Sequence, residues 1–193
     1  MKAKRICVGP LQTNCYIIED ETPNGRFCAV VVDPGDDPKA IEENLPRNLT
    51  HIILTHAHFD HVGALEAVHR AHPEALFAVG EHEPLDSVYT FYSHPDLVIP
   101  PIDVLLGDGA VIGPFTVIHT PGHTKGSICL YSEKDDLLLS GDTLFCGGYG
   151  RTDLGGSMTD MQTSLARLAA LPPKTEVLPG HGEPTTIGRE FQS

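Results

Sequence analysis

The sequence predicts a layered α/β domain in which two mixed β-sheets pack face to face with helices outside. Two observations predict it. Strand-like and helix-like segments are intermixed along the chain, joined both by hairpins and by strand–helix units, so both antiparallel and parallel pairs are expected. Several strands are also short apolar runs of the kind a buried strand needs. At 193 residues, with no repeat period, low-complexity tract or linker, residues 1–193 are expected to form one domain.

Each element has a local reason. Cys15–Glu19 and Phe27–Val32 are rich in β-branched and aromatic residues, and the Thr22-Pro23-Asn24-Gly25 turn between them predicts a hairpin. Asp37 and Pro38 are the cap and first-turn proline of a helix with Ile41 and Leu45 on one face. Thr50–Leu54 is a buried strand, and a helix starting at Asp60 or His61 carries Val62, Leu65 and Val68 at helical spacing. Leu76–Val79, Val111–His119, Ser127–Ser132 and Leu137–Ser140 read as further strands, with turns at Gly113-Pro114, Pro121-Gly122 and Glu133–Asp136. Thr159 caps a helix that turns Met161, Leu165 and Leu168 inward, and Glu176–Leu178 is a last strand. Residues 81–103 fit no period and read as a loop or short helix covering a pocket. Within them His94 follows Tyr89, Phe91 and Tyr92, a cluster read as satellite core more than as a binding wall.

Composition narrows the partners. The formal net charge of −13 repels a phosphate backbone and argues against nucleic acid. No apolar stretch reaches the roughly 18 residues of a membrane span, and the basic N-terminus is followed by no signal-like apolar region, so the expected location is the cytoplasm. Cys7, Cys15, Cys28, Cys129 and Cys146 are odd in number, scattered and never C-x-x-C, which reads as reduced thiols rather than a disulfide frame. Cys146 is the candidate if one thiol is functional.

The chemistry concentrates in LTHAHFDHVG. Here His56, His58, Asp60 and His61 follow an apolar strand. Residues two apart on extended backbone point the same way, so His56 and His58 can share one metal. Asp60 and His61, past the turn, suit a neighbouring ion. His with carboxylate donors suits zinc or another first-row transition metal. The same theme, a short apolar strand ending at a ligand type beside glycine, recurs at His123 (VIHTPGHTKGS), Asp142 (LLLSGDTLF) and His181 (EVLPGHGEP). Asp33, in VVDPG, reads both as turn chemistry and as a carboxylate that orients a ligand histidine or its loop.

With Asp33, His56-x-His58-x-Asp60-His61, His123, Asp142 and His181 in this order, the chain resembles the metallo-β-lactamase fold superfamily. The resemblance runs from Pro10 to about Pro184, and it implies a four-layer αββα sandwich. GPLQTNCYII, THAHFDHVGA, HTPGHTKGSICLY and GDTLFCGGYGRTD look most like the glyoxalase II (hydroxyacylglutathione hydrolase) branch, in a short form without the helical C-terminal domain. The ligand set implied is His56, His58 and His123 for one metal, Asp60, His61 and His181 for a second, and Asp142 bridging both. Two divalent ions are implied, zinc first, with iron or manganese as alternatives. The implied reaction is thioester hydrolysis by a metal-bridging hydroxide, with Asp142 and Asp60 as the catalytic carboxylates and a small-molecule thioester as partner. Where glyoxalase II enzymes place a lysine and a tyrosine, this chain has Gly150-Arg151-Thr152-Asp153, so Arg151, with Tyr89 and Tyr92, becomes the substrate-binding candidate. The same stretch also resembles the mononuclear iron persulfide dioxygenases of the superfamily. A lactonase uses the same ligand set. Oligomeric state is left open.

Overall fold

The first half of the chain builds one sheet. β1 (Lys2–Val8), β2 (Thr13–Glu21) and β3 (Phe27–Val32) pair antiparallel. After α1 (Pro38–Glu42), β4 (His51–Leu54) pairs parallel with β3. The helices α2 (Phe59–Val62) and α3 (Leu65–Ala71) then lead to β5 (Leu76–Gly80), and β6 (Val104–Leu106) closes the sheet, both strands parallel. These coordinates come from a computed structural model that describes every residue except Pro23, Val88, Ser93, His94 and Ser193. The roles read for Pro23 in the hairpin turn and for His94 therefore lie outside the described residues.

The second half mirrors this arrangement. β7 (Val111–Ile112), β8 (Phe115–His119), β9 (Ile128–Ser132) and β10 (Leu137–Gly141) pair antiparallel in sequence, with a separate small hairpin of β11 (Leu144–Phe145) and β12 (Gly148–Tyr149). α4 (Met158–Leu168) carries the chain to β13 (Glu176–Pro179), which adds parallel to β10. β14 (Thr185–Thr186) and α5 (Ile187–Phe191) follow. The sheet orders are β1-β2-β3-β4-β5-β6 and β14-β13-β10-β9-β8-β7.

Strand periodicity sorts the apolar side chains into three cores. Between the sheets, Tyr16, Ile18, Val30, Val32 and Ile53 of the first meet Phe115, Val117, Ile128, Leu130 and Leu139 of the second. The alternate residues Ile17, Val31, Ile52, Leu54 and Phe77 face outward onto Ile41 of α1, Val62 of α2 and Leu65 and Val68 of α3. On the far side Cys129, Leu138 and Val177 pack on Leu168 of α4 and Ile187 of α5. The order of layers is helices, sheet, sheet, helices, the αββα sandwich expected. Strands covered on both faces explain the continuous apolar runs.

The local differences have physical reasons. β1 was not anticipated because it is an edge strand, with Lys2, Lys4 and Arg5 exposed and no apolar run to mark it. Asp37 adopts the left-handed region (φ 51°) and its carboxylate accepts the Gly9 N–H at 3.0 Å instead of capping α1. The single helix expected from residue 60 is two, with a break at Gly63-Ala64 where Ala64 N donates to Pro34 O at 2.9 Å instead of joining the helical ladder. α4 is capped by Ser157, whose hydroxyl accepts from Asp160 N at 3.2 Å, rather than by Thr159. Among the described residues of 81–103, irregular turns dominate and no helix forms. Among the described residues no helix is long and apolar enough to cross a membrane.

Candidate metal centre

The ligand types meet at one rim of the sandwich, where strands of both sheets end. Asp33 follows β3, His56 and His58 follow β4, His123 follows β8, Asp142 follows β10 and His181 follows β13. The backbone at His58 is extended (φ −70°, ψ 151°), so His56 and His58 do project together, with ring centroids 4.8 Å apart. His123 joins them at 4.6 Å from His56 and 4.5 Å from His58. Asp60 and His61, on α2, turn to the other side and meet His181: Asp60 Oδ2 lies 3.1 Å from His181 Nε2 and 3.6 Å from His61 Nε2.

Asp142 stands between the two groups. Its Oδ1 is 3.5 Å from His61 Nε2, and its Oδ2 is 3.5 Å from His123 Nε2 and 3.6 Å from His181 Nε2. Two outer donor sets result, His56–His58–His123 and Asp60–His61–His181, and a third group, His56–His61–Asp142, takes one ring from each, so that Asp142 is able to serve both. Donor separations near 3.5 Å match the edge of a tetrahedron with arms of roughly 2.0–2.1 Å, the usual length for nitrogen and carboxylate donors to zinc.

The donors also fit metal on other grounds. The inward nitrogens His56 Nε2, His61 Nε2 and His123 Nε2 and the oxygen Asp142 Oδ1 are buried with no hydrogen-bond partner. Such groups are costly to bury unsatisfied, and a cation supplies what they lack. The opposite ring nitrogens are engaged: His123 Nδ1 donates to Arg151 O at 2.7 Å, His181 Nδ1 to Leu11 O at 3.2 Å, and His56 Nδ1 contacts Thr55 Oγ1 at 3.2 Å. Gly180 leaves the space this needs, since a Cβ there would stand 2.2 Å from Asp142 Oδ1.

Electrostatics divides the two groups. Burial, then the neighbouring histidines, pushes His56 far below the ordinary imidazole range and His58 to about 3, and burial also lowers His123. These three rings are therefore neutral, the form that binds metal. On the other side burial also opposes charge, but the Asp142, Asp33 and Asp60 carboxylates outweigh it at His61 and raise it well above its usual value; a hydrogen bond with Asp60 and the charge of Asp142 raise His181. At Asp60 burial opposes ionisation, but His61 and the hydrogen bonds of His181 and Thr13 hold its carboxyl below the usual range. The carboxylates of Asp33, Asp60 and Asp142 thus gather negative charge around His61 and His181, which favours a cation there.

A surrounding set of residues holds the ligands, and sequence reading marked Asp33 among them. Asp33 Oδ2 lies 3.0 Å from His61 Nδ1, close enough for charge pairing though not aligned as a hydrogen bond. The same carboxylate accepts Thr55 N and Thr55 Oγ1, each at 2.7 Å. Asp33 does this from a left-handed backbone (φ 53°), a strained position for a non-glycine residue. Glu83 was missed. Its carboxylate accepts Ala57 N at 2.7 Å and Thr124 Oγ1 at 2.5 Å, and burial raises its pKa against those hydrogen bonds. Glu83 follows apolar β5 and a glycine, the same strand-end theme that marked the ligands. Thr13, also missed, donates to Asp60 Oδ2 at 2.9 Å. Asn14 Nδ2 donates to Pro179 O and Gly182 O, both at 2.9 Å, and ties β2 to the His181 loop.

The centre opens into a cleft of about 480 Å³ whose wall includes Tyr89, Tyr92, Arg151 and Leu154. Tyr89 and Tyr92 thus stand at the cleft, as does Arg151, whose guanidinium is already bonded to Asp153 at 2.7 and 2.6 Å. Thr120 and Thr143 bond each other at 2.9 Å and serve packing. The five cysteines are free. Cys146 is exposed beyond the centre, and burial pushes Cys129 up to about 11, which leaves it inert.

An αββα sandwich with paired His/Asp donor sets at its rim defines a metallo-hydrolase. Residues 8–181 match the model of the metallo-beta-lactamase superfamily, and the chain belongs to that family. It is 39% identical to the "Probable metallo-hydrolase YqgX" of Bacillus subtilis, over 97% of this chain and 93% of that protein. It is 32% identical to the hydroxyacylglutathione hydrolase GloC of Haemophilus influenzae, over 100% and 96%. A solved structure, TTHA1623 in a di-iron-bound form, superposes with a TM-score of 0.83 at 36% identity, covering 96% of each chain.

Proposed function

We propose that this metallo-hydrolase cleaves thioesters of the hydroxyacylglutathione type at a dinuclear centre. One observation carries the reading: Asp142 faces both donor sets, His56–His58–His123 and Asp60–His61–His181, at the floor of an open cleft. Its likeness to GloC over full length supports the substrate class.

Divalent ions held by these donors would supply hydroxide at neutral pH, by lowering the pKa of water from about 16 to about 7, and would polarise the carbonyl under attack. Zinc suits the donors best, and iron or manganese accept the same set. The protein's own part is to present those donors in the right form. His56, His58 and His123 are kept neutral by burial, and Asp33 holds the ring of His61. Asp60 stays ionised and is the group assigned to orient the attacking oxygen, with Thr13 fixing its rotamer. The leaving thiolate needs no strong acid, because a thiol with a pKa of about 8.5 departs readily near neutrality. Tyr89, Tyr92 and Arg151 line the path to the centre and are assigned to the thiol portion of the substrate. Arg151 meets a substrate carboxylate by exchanging it for Asp153.

The test is hydrolysis of S-D-lactoylglutathione by protein whose metal has been counted. Turnover with about two metals per chain, and loss of both turnover and metal in Asp142→Ala, is the expected result. Two metals without turnover would move the substrate to other thioesters or lactones. One iron per chain, with oxygen consumed on glutathione persulfide, would replace the hydrolase by a dioxygenase.

A further inference from the structure

The centre has a second cleft, whose lining does not include Arg151. It encloses about 350 Å³ and is walled by Val8, Pro10, Leu11 and Phe59, with Asp36 and Asp60 at its edge. It shares Leu11, Phe59 and Asp60 with the cleft that holds Tyr89, Tyr92 and Arg151, so the two meet over the metal donors. The two arms differ in chemistry. One offers phenol hydroxyls and a guanidinium. The other is apolar, and its only charged side chains are carboxylates.

We propose that the apolar cleft receives the acyl chain of the thioester, and that this enzyme prefers uncharged acyl groups of several carbons over acetyl. The inference rests on the thioester-hydrolase reading. Three observations support it. First, the wall is preformed. The loop from Gly9 to Gln12 is closed by Gln12 N and Gln12 Nε2 donating to Gly9 O at 3.2 and 3.0 Å, and by Gly9 N donating to Asp37 Oδ2 at 3.0 Å. A preformed wall binds without an ordering penalty. Second, Leu11, which lines both clefts with Phe59, is 53% exposed, an apolar rim that folding alone does not need. The Leu11 carbonyl accepts from His181 Nδ1, so the rim is anchored to the donor set itself. Third, at about 30 Å³ for a water-sized group the cleft has room for on the order of ten heavy atoms. Asp36, the carboxylate of this cleft that is not a metal donor, repels an anionic acyl end, while thiol carriers that bear carboxylates fit the arm with Arg151.

The experiment measures kcat/KM of the metal-loaded enzyme for acetyl, butyryl, hexanoyl and glutaryl thioesters of one thiol. It also measures, by calorimetry, the affinity for acetate and hexanoate. Complete burial of a methylene is worth up to about fourfold, so an open cleft should give roughly twofold per methylene and about tenfold or more from acetyl to hexanoyl. Glutaryl should fall at least about tenfold below hexanoyl, and hexanoate should bind more tightly than acetate by a similar factor. Leu11→Asp should erase the chain-length preference in both measurements at unchanged Tm, and Leu11→Ala should halve it if the aspartate variant proves unstable. A flat acyl series together with equal carboxylate affinities would overturn the proposal, as would a preference that survives both Leu11 variants. If no thioester is turned over, the hydrolase reading fails instead, and the carboxylate affinities still decide what the cleft holds.

Discussion

Glu83 Oε2 accepts a hydrogen bond from Thr124 Oγ1 at 2.5 Å, and that contact fastens the loop after β5 to the loop that carries His123. The other oxygen of Glu83 takes Ala57 N, between His56 and His58, at 2.7 Å. One half-buried carboxylate therefore sets the spacing of the first three donors without touching any of them. Glu83→Ala should weaken metal at His56–His58–His123 by about 10- to 100-fold and destabilise the fold by about 1–3 kcal/mol, since it strands a buried N–H and a hydroxyl. Chelator competition and thermal unfolding measure the two effects. Glu83→Gln, which keeps an acceptor for Ala57, should recover part of the affinity. Equal metal affinity in wild type and Glu83→Ala would show that the loops hold their spacing unaided.

Asp33 carries a matching task for the second donor set. It combines a left-handed backbone, two hydrogen bonds from Thr55 and the contact with His61 Nδ1. Asparagine tolerates the left-handed region better than alanine and keeps an acceptor for Thr55. Asp33→Asn should therefore fold with near-native Tm while binding its second metal about 10-fold more weakly, and Asp33→Ala should lose both stability and second-site metal. Metal counted after dialysis against a graded series of chelator concentrations separates these outcomes.

The ligands were legible because each group stands just past the end of an apolar strand, beside a glycine at His123, Asp142 and His181, where the chain has few reasons to place a histidine or aspartate. Asp142 between the two sets and Asp33 behind His61 follow that same pattern. The strand pattern also exposed the layered fold, since runs such as Ile52–Leu54 need cover on both faces. What was hidden depends on contacts between segments distant in sequence. Thr13 reaches Asp60 across 47 positions, and Glu83 meets Thr124 across 41. No local period encodes such a meeting. β1 was hidden for another reason: an edge strand defended by Lys2, Lys4 and Arg5 looks like a polar tail. Ser157 displaced Thr159 as the cap because the loop from Gly122 fixes where α4 starts, through Ser157 N donating to Gly122 O at 2.8 Å.

Gly180 tests the packing of the centre independently of its charges. A Cβ at this position would approach Asp142 Oδ1 to 2.2 Å and His61 Cε1 to 2.9 Å. Gly180→Ala must push one of them aside, although it changes no donor. The expected result is a fold that survives with a Tm loss of a few degrees, corresponding to the about 1–3 kcal/mol of overpacking, and metal bound in less than full amount at the second set. Gly182→Ala, with nothing within 4 Å of the added carbon but a φ of 76°, should lower Tm through backbone strain and leave metal content intact. Metal loss of the same size in both variants would show that backbone strain in the loop, not contact with Asp142, governs the site.

The last prediction concerns Asp108, which joins three segments. It accepts His119 N at 2.8 Å, and its two oxygens share Arg167 Nη2 at 2.9 and 3.1 Å, while Arg167 Nη1 donates to His119 O at 2.8 Å. Slight burial opposes ionisation of Asp108, but the His119 N–H and the Arg167 guanidinium outweigh it and hold the carboxyl below its usual range. A carboxyl whose pKa is lower folded than unfolded stabilises the fold above its unfolded value, about 3.9, and that contribution disappears as the pH falls through the folded value. Because the pair is solvent-exposed, its worth is no more than about 1 kcal/mol. Asp108→Asn should therefore unfold slightly earlier than wild type in denaturant at pH 7. The gap should narrow as pH drops below about 4 and should also shrink in about 1 M salt, where the screening length is only about 3 Å. A gap that persists at low pH and high salt would assign Asp108 a hydrogen-bonding role through His119 N rather than a charge role through Arg167.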